Sequence, residues 1–258
     1  MRKRTTTVAL LAAFTVAGAA LAPAAFADGF EGDTKITKVV VNGGKNVVVG
    51  AATVKKFTVS VTATDDQGIA GAEIDLYGPN DGLLISTSAA AKCVVSSTSA
   101  TTSTCTATFS VDPRVADVFN NEAGNWVVDA WVDANGDDSN YVWKENAGSF
   151  KVQRASQLTV NAAPEPVKKG KTITVTGKLT RANWETGKNV ALANQSVALQ
   201  FRKAGTTTYT NVKGIKSTST GALKTTVKAS VDGFYRYSYA GITTTAGVSA
   251  AGDYIDVK

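Results

Sequence analysis

The chain of 258 residues is long enough for one large or two small domains, and its 27 Lys and Arg against 21 Asp and Glu give a formal net charge of +6. The chain contains no histidine, which excludes Ser-His-Asp and Cys-His catalysis and the usual zinc and iron sites. Carboxylate-pair chemistry and a Ser-Lys dyad are compatible with this composition, but no residue spacing points to either. We therefore predict a protein without catalytic activity.

The N-terminal segment has the order of features that is typical of a secretory signal peptide. Three cations at positions 2–4 precede an apolar run over 8–22, and small residues follow at 25–27. The run is short for a membrane anchor, and the small residues that follow it are typical of a signal-peptide cleavage site. We therefore expect residues 1–27 to be removed, so that the secreted protein begins at Asp28 and is extracellular or associated with the cell wall. No later segment is apolar over the length that a bilayer requires.

Apolar and polar residues alternate with period two along most of the remaining chain. Such alternation in segments rich in Val and Thr predicts half-buried antiparallel strands. The segments that show it most clearly are 57–63, 126–133, 173–175, 197–201, 223–227 and 235–239. Turn sequences separate these segments, and no helical pattern occurs after the N-terminal apolar run. This spacing predicts an all-β protein built from β-sandwiches.

A sharp change in charge divides the chain near Val152. Residues 28–152 contain 9 Lys and Arg and 16 Asp and Glu, a net charge of −7, whereas residues 153–258 contain 15 and 5, a net charge of +10. We therefore predict two domains in tandem, an acidic one over 28–152 and a basic one over 153–258. Domains of opposite charge would dock on each other or pair head to tail between chains, and salt would weaken either contact.

The two cysteines suit an extracellular protein. Cys93 and Cys105 bracket a segment rich in Ser and Thr in the acidic half. A disulfide that closes a loop of this length stabilises a protein by about 3 kcal/mol when its geometry is unstrained. The two residues lie too close in sequence to join the two sheets of an antibody-type domain.

Aromatic residues and carboxylates alternate around the turn that begins near residue 135. If Trp126 faces the core, Asp129 and Trp131 face outward, and Tyr141 and Trp143 lie beside Trp131 on the next strand. Rings stack on sugars and carboxylates accept hydrogen bonds from hydroxyls, so these residues predict a contact surface for a carbohydrate or protein ligand. The alternatives are cross-strand packing pairs, and a register shift that reverses every facing assignment.

The same turn carries oxygen ligands of the kind that calcium prefers. They are Asp133, Asn135, Asp137 and Asp138. The segment departs from an EF-hand loop, because Asp138 stands where glycine is required and Lys144 stands where a bidentate Glu is expected. A plain Asn-Gly-Asp turn explains these residues equally well. Calcium therefore stays an alternative, and we predict no other cofactor.

Cations on the predicted strands of the basic half form a further pattern. Lys224, Lys228, Arg202 and Arg236 all fall on outward positions. Together they predict a cationic surface for an anionic cell-wall polymer or another extracellular polyanion, with binding that weakens as salt rises. The alternative is solubility and the protection of strand edges. No stacking or base-reading element accompanies the charge, so we predict no specific nucleic-acid partner.

Several segments of the basic half together resemble a known family. They are LTVNAAPEPV at 158–167, KKGKTITVTGKLT at 168–180, GFYRY at 233–237 and GDYIDV at 252–257. Over 157–258 the chain resembles the bacterial immunoglobulin-like domains of secreted actinobacterial proteins, and the first half looks like a divergent relative. The resemblance implies two immunoglobulin-like β-sandwiches in tandem. Such domains serve as spacers, adhesive modules or appendages of enzymes.

We therefore expect a secreted, non-catalytic binding or structural protein. Its basic domain would attach to anionic wall material, and its acidic domain would present loops to a ligand. The alternative is a secreted protein that binds calcium or a small ligand through the Asp-rich loops of the acidic domain.

Overall fold

The computed structural model describes residues 28–84, 90–136 and 140–258. The predicted signal peptide, and Asp137 and Asp138 of the predicted calcium loop, lie outside the described residues. Within the described ranges no helix has the length and apolar character that crossing a membrane requires. Besides strands, these ranges contain short 3-10 turns at Asn42–Gly44, Pro79–Asp81, Pro113–Val115 and Asn120–Glu122.

The N-terminal part of the described chain folds into a sandwich of two sheets. Its strands are β1 Gly29–Glu31, β2 Lys35–Val41, β3 Val47–Val49, β4 Lys55–Thr64, β5 Ile69–Tyr77, β6 Leu83–Leu84, β7 Lys92–Ser96, β8 Ser99–Val111, β9 Gly124–Ala134 and β10 Tyr141–Arg154. One sheet has the order β2-β4-β8-β7, and the other has the order β1-β10-β9-β5-β6. The short β3 runs parallel to the end of β10, and the other pairs are antiparallel.

The C-terminal part folds into a second sandwich. Its strands are β11 Ser156–Leu158, β12 Asn161–Ala163, β13 Thr172–Asn183, β14 Lys188–Ala191, β15 Ser196–Lys203, β16 Thr210–Lys216, β17 Ala222–Lys228, β18 Gly233–Tyr239, β19 Val248–Ser249 and β20 Asp253–Ile255. In one sheet β13 pairs with β11, β12, β14 and β17, and the other has the order β16-β15-β18-β19, with β20 also on β18.

Both sandwiches have the strand order of immunoglobulin-like domains. In the first, β2, β4, β8 and β7 occupy the positions of strands A, B, E and D, and β5, β9 and β10 those of C, F and G. In the second, β12, β13 and β17 correspond to A, B and E, and β15, β18 and β20 to C, F and G. The prediction of an all-β protein with two such sandwiches in tandem is confirmed. Strand β10 ends at Arg154 and β11 begins at Ser156, close to the predicted boundary.

The buried residues of both sandwiches lie at the alternate positions that the period-two pattern predicts. Trp126, Val128, Ala130 and Val132 of β9 are buried, and the alternate residues of this strand point outward. In the second sandwich Leu199 of β15 and Tyr237 of β18 are fully buried. Burial of a large apolar side chain contributes about 1.5–3 kcal/mol, so these rows supply much of the stability of each sandwich.

Cys93 and Cys105 form a disulfide, as predicted. They lie directly opposite each other on β7 and β8, within one sheet. The Ser- and Thr-rich segment between them forms the two arms of a β-hairpin that turns between Ser96 and Ser99. The β-branched threonines fit a pleated strand, which explains why a polar segment pairs so regularly.

The two sandwiches meet through buried side chains. Trp184 follows β13 in the second sandwich, is only 2% exposed and packs into the core of the first. Its indole N–H donates to the backbone oxygen of Val49 at 3.3 Å. Arg154, at the end of β10, donates through Nε to the backbone oxygen of Ala182 at 2.6 Å. Burial, and then the charge of nearby Arg181, lowers the pKa of Arg154 to about 10.

This contact does not use the opposite net charges of the two halves. Among the described residues, ion pairs join Arg114 to Asp112 and Lys258 to Asp256, and each pair lies within one sandwich. Hydrogen bonds and the apolar Trp184 join the sandwiches instead.

Candidate binding faces

The outer surface of β5, β9 and β10 carries the predicted aromatic cluster. Trp131 lies opposite Trp143, and Asp133 lies opposite Tyr141. The rings of Trp131 and Tyr141 are stacked, with centroids 4.3 Å apart and an interplanar angle of 7°. The ring of Trp143 is tilted by 32° at 6.4 Å from Trp131. The structure therefore brings the three predicted aromatic residues together on the outside of the sheet.

The geometry of this cluster matches cross-strand packing better than a sugar platform. Tyr141 covers one face of the Trp131 indole, and the indole N–H donates to Asp133 Oδ1 at 2.6 Å. A sugar ring needs an open aromatic face, whereas stacked cross-strand pairs stabilise the sheet itself. The cluster thus forms a half-buried aromatic surface whose rings are held in place by stacking and a hydrogen bond, and such surfaces are found in protein interfaces.

Carboxylates surround these rings. Asp129 lies opposite Asp75, and Glu73 lies opposite Trp131 across the β5–β9 pair. Burial, and then the charge of Asp129, raises the pKa of Asp75. The backbone N–H of Asn146 donates to Asp129 Oδ1 at 2.8 Å. We call this surface of Glu73, Asp75, Asp129, Trp131, Tyr141 and Trp143 the acidic face.

The sequence prediction included Asp129 but missed the two carboxylates of β5. Glu73 and Asp75 alternate with the buried Ala72, Ile74 and Leu76, so their outward direction is readable from the sequence. Their place beside the aromatic cluster depends on the pairing of β5 with β9, and the sequence pattern does not specify that pairing.

The described members of the predicted calcium set have other partners. The Asp133 carboxylate accepts from Trp131, and the Asn135 side-chain amide donates to the backbone oxygen of Gln67 at 3.1 Å. The first two residues of the predicted set are thus bonded to different protein groups. Asp137 and Asp138 lie outside the described residues, and calcium stays a prediction of the sequence.

A different acidic group converges at the same end of the sandwich. Carboxylate oxygens of Asp33, Asp65 and Asp66 lie within 4.8 Å of one another. The buried Asp65 accepts from Thr34 Oγ1 at 2.7 Å and from the backbone N–H of Gln67 at 2.9 Å. Burial acts to raise the pKa of Asp65, but these hydrogen bonds outweigh it and lower the pKa. The Asp65 carboxylate therefore holds the β4–β5 turn in place.

The four predicted cations do not form one surface, contrary to the prediction from the sequence. Arg202 and Arg236 belong to β15 and β18, whereas Lys224 and Lys228 belong to β17 in the opposite sheet. Because the two sheets of a sandwich point their outer residues in opposite directions, the arginines and the lysines face away from each other. Alternation predicts the outward direction of each residue but not the sheet to which its strand belongs.

The arginines are stacked on aromatic rings. The guanidinium carbon of Arg202 lies 4.1 Å from the ring centroid of Phe234, and that of Arg236 lies 3.8 Å from the ring centroid of Tyr209. Arg236 Nε also donates to Gln200 Oε1 at 2.8 Å. Strands β15, β16 and β18 contain no Asp or Glu. We call Arg202, Arg236, Tyr209, Phe234 and Gln200 the arginine face.

The lysines lie on the outer surface of the other sheet. Lys224 and Lys228 of β17 are exposed and lie opposite Thr176 and Thr172 of β13. Lys178 of β13 is exposed as well. None of the five strands of this sheet contains an Asp or Glu. We call the surface of Lys178, Lys224 and Lys228 with its neighbouring threonines the lysine face.

No protein-family model and no curated protein matches the chain. Among solved structures, the D00-D0 domain of intimin is 19% identical, with 84% of this chain and 99% of that chain covered and a TM-score of 0.27. The full ectodomain of mouse nectin-like molecule 4 is 13% identical, with coverages of 88% and 65% and a TM-score of 0.26. Dimeric latent PorU from Porphyromonas gingivalis is 13% identical, with coverages of 87% and 20% and a TM-score of 0.29.

The chain thus spans less than two thirds of the PorU and nectin-like chains that it resembles. At TM-scores this low, neither fold nor function follows from the likeness. The immunoglobulin-like assignment rests on the strand order of the two sandwiches.

Proposed function

We propose that this chain is a non-catalytic extracellular binding protein that attaches to an anionic polymer of the cell exterior through its lysine face. The main support for this proposal is that the charges of that face are all positive. Three exposed lysines stand on a sheet whose five strands contain no carboxylate. Surfaces that serve solubility alone usually intersperse both signs of charge.

The arrangement of the lysine face suits a polymer better than a compact anion. Lys224 and Lys228 are four residues apart on one strand, which corresponds to about 13 Å between their Cα atoms. This spacing exceeds the Debye length of about 8 Å at physiological salt, so each ammonium group attracts its own segment of an extended polyanion. The threonines between them add hydroxyl groups and no opposing charge.

Two further observations support an extracellular role. The Cys93–Cys105 disulfide is of the kind that persists in oxidising surroundings, and the sequence of 1–27 predicts secretion. The acidic face of the first sandwich would then present a rigid aromatic surface to a macromolecular ligand. Its stacked rings favour a protein over a carbohydrate as that ligand.

Co-sedimentation with purified bacterial cell walls tests attachment. We expect the full chain to pellet with the walls at about 20 mM salt and to be released at about 500 mM, because salt screens exposed charges. The variant Lys224→Gln/Lys228→Gln should lose most of this binding. The matched control Lys38→Gln/Lys56→Gln removes the same charge from exposed positions of the first sandwich and should pellet like the wild type.

Two results would overturn the proposal. One is pelleting of the Lys224→Gln/Lys228→Gln variant at the wild-type level, and the other is an absence of wild-type pelleting at low salt. The melting temperature of each variant shows whether its fold is intact, since substitutions at exposed strand positions rarely change stability by more than about 0.5 kcal/mol.

A further inference from the structure

The acidic face and the arginine face are complementary in charge. Strands β5 and β9 contain no Lys or Arg, and strands β15, β16 and β18 contain no Asp or Glu. The ion pairs of the described residues, Arg114–Asp112 and Lys258–Asp256, involve none of the charged residues of either face. The charged residues that define the acidic face are thus all negative and those that define the arginine face are both positive, although β10, which supplies Tyr141 and Trp143, also carries Lys144 and Lys151.

The spacing of the charges also matches. Arg202 lies opposite Phe234, two residues from Arg236 on the same strand, so the two arginines are diagonal neighbours on paired strands. Glu73 lies opposite Trp131, two residues from Asp129, so these carboxylates are diagonal neighbours as well. Diagonal neighbours on paired antiparallel strands are about 7–8 Å apart, so the backbone spacing of the two arginines equals that of the two carboxylates.

The chemistry of the two pairs fits a direct contact. A guanidinium donates two parallel hydrogen bonds to a carboxylate, and stacking on Phe234 and Tyr209 holds both guanidinium groups in position beforehand. Asp129 uses Oδ1 to accept from Asn146, which leaves Oδ2 for a donor from outside. The rings of Trp131 and Tyr141 supply the aromatic surface that protein interfaces favour.

We infer that the acidic face of one chain binds the arginine face of a second copy, so that copies assemble head to tail. The inference rests on the proposed role of the acidic face as a surface for a macromolecular ligand, and it identifies that ligand as another copy of this chain. Trp184 and Arg154 already join the two sandwiches of one chain at a different place, which leaves the two faces for neighbouring molecules. Such a contact is heterologous and generates chains or rings of copies rather than a closed symmetric dimer.

Sedimentation velocity of the purified full chain, without cell walls, tests the inference. We expect species larger than one chain that grow with protein concentration at about 20 mM salt and that dissociate at about 500 mM. The variants Arg202→Gln/Arg236→Gln and Glu73→Gln/Asp129→Asn should each sediment as single chains. The control Lys224→Gln/Lys228→Gln removes two charges from the opposite sheet and should assemble like the wild type.

A mixing experiment distinguishes head-to-tail pairing from every other kind. The Arg202→Gln/Arg236→Gln variant keeps its acidic face, and the Glu73→Gln/Asp129→Asn variant keeps its arginine face. An equimolar mixture should therefore form complexes of two chains that grow no further. Single-chain behaviour of the wild type at low salt, or of the mixture, would overturn the inference. Either result leaves wall binding to be judged by pelleting, where the lysine face is the part tested.

Discussion

Asp75 and Asp129 face each other across β5 and β9 and form an uncompensated pair of like charges. Burial and the charge of Asp129 raise the pKa of Asp75 above its usual 3.8. The folded protein therefore binds the Asp75 proton more tightly than the unfolded chain does. The stability gained from protonation is fully present below pH 3.8 and is lost as pH rises through the elevated pKa.

The variant Asp75→Asn should consequently be more stable than the wild type at about pH 7, by roughly 0.2–1 kcal/mol, because it removes a like-charge pair from directly opposite positions. The gain should shrink as pH falls through the raised pKa of Asp75 and be small below 3.8, where the wild-type carboxyl is protonated. Thermal melts of both proteins across this pH range provide the measurement. A lower melting temperature for the variant at neutral pH would show that the Asp75 carboxylate has a stabilising partner.

At the scale of elements, the β7–β8 hairpin shows how a polar segment becomes regular structure. Threonines of β8 pair across to β4, and Thr62 and Thr104 are hydrogen-bonded through their hydroxyls at 3.0 Å. On its other side β8 pairs with β7, which is an edge strand and is tied to β8 by the disulfide. The disulfide therefore secures one of the two edge strands of this sheet, the other being β2.

Removal of the disulfide by Cys93→Ala/Cys105→Ala should lower the free energy of unfolding by up to about 3 kcal/mol, the chain-entropy value for a short loop. We expect the amide hydrogens of β7 to exchange faster in the variant, while those of β4 and β9 keep their protection. Hydrogen exchange followed by mass spectrometry measures this directly. Unchanged exchange in β7 would mean that strand pairing alone holds the hairpin.

The sequence predicts which face of a strand is buried better than it predicts which strands pair. Alternation correctly assigns Trp126 to the core and Trp131 to the surface, because each strand has one buried face. It does not predict that Lys224 and Arg236 lie on different sheets, or that Asp75 lies beside Asp129, because these placements depend on pairing between distant segments. The stacking of Arg236 on Tyr209 is likewise a tertiary contact without a local signal.

At the scale of the whole molecule, Trp184 joins two sandwiches of opposite net charge through apolar packing. Its side chain packs in the core of the first sandwich, although it directly follows β13 of the second. Backbone hydrogen bonds between Ala155 and Val49 and between Ala182 and Ala155 continue the contact. The two sandwiches should therefore unfold together, and moderate salt should not separate them.

The variant Trp184→Ala should lower stability by about 3–5 kcal/mol, the usual cost of deleting a large buried aromatic side chain, and should split one calorimetric transition into two. The control Trp184→Phe keeps an apolar ring but loses the hydrogen bond to Val49 and part of the indole packing, so a loss of at least about 1 kcal/mol, smaller than that of Trp184→Ala, is expected. Two transitions already present in the wild type would contradict the coupling.

If the lysine face binds anionic polymers by charge, the chain should bind dextran sulfate. A titration with this polymer is the most direct test. Neutral dextran of the same length provides the matched control. We predict binding to dextran sulfate alone, with an affinity that falls linearly on logarithmic axes as salt rises, and a shallower slope for Lys224→Gln/Lys228→Gln because fewer counterions are released. Equal affinity for both polymers, or an unchanged slope in the variant, would contradict the claim.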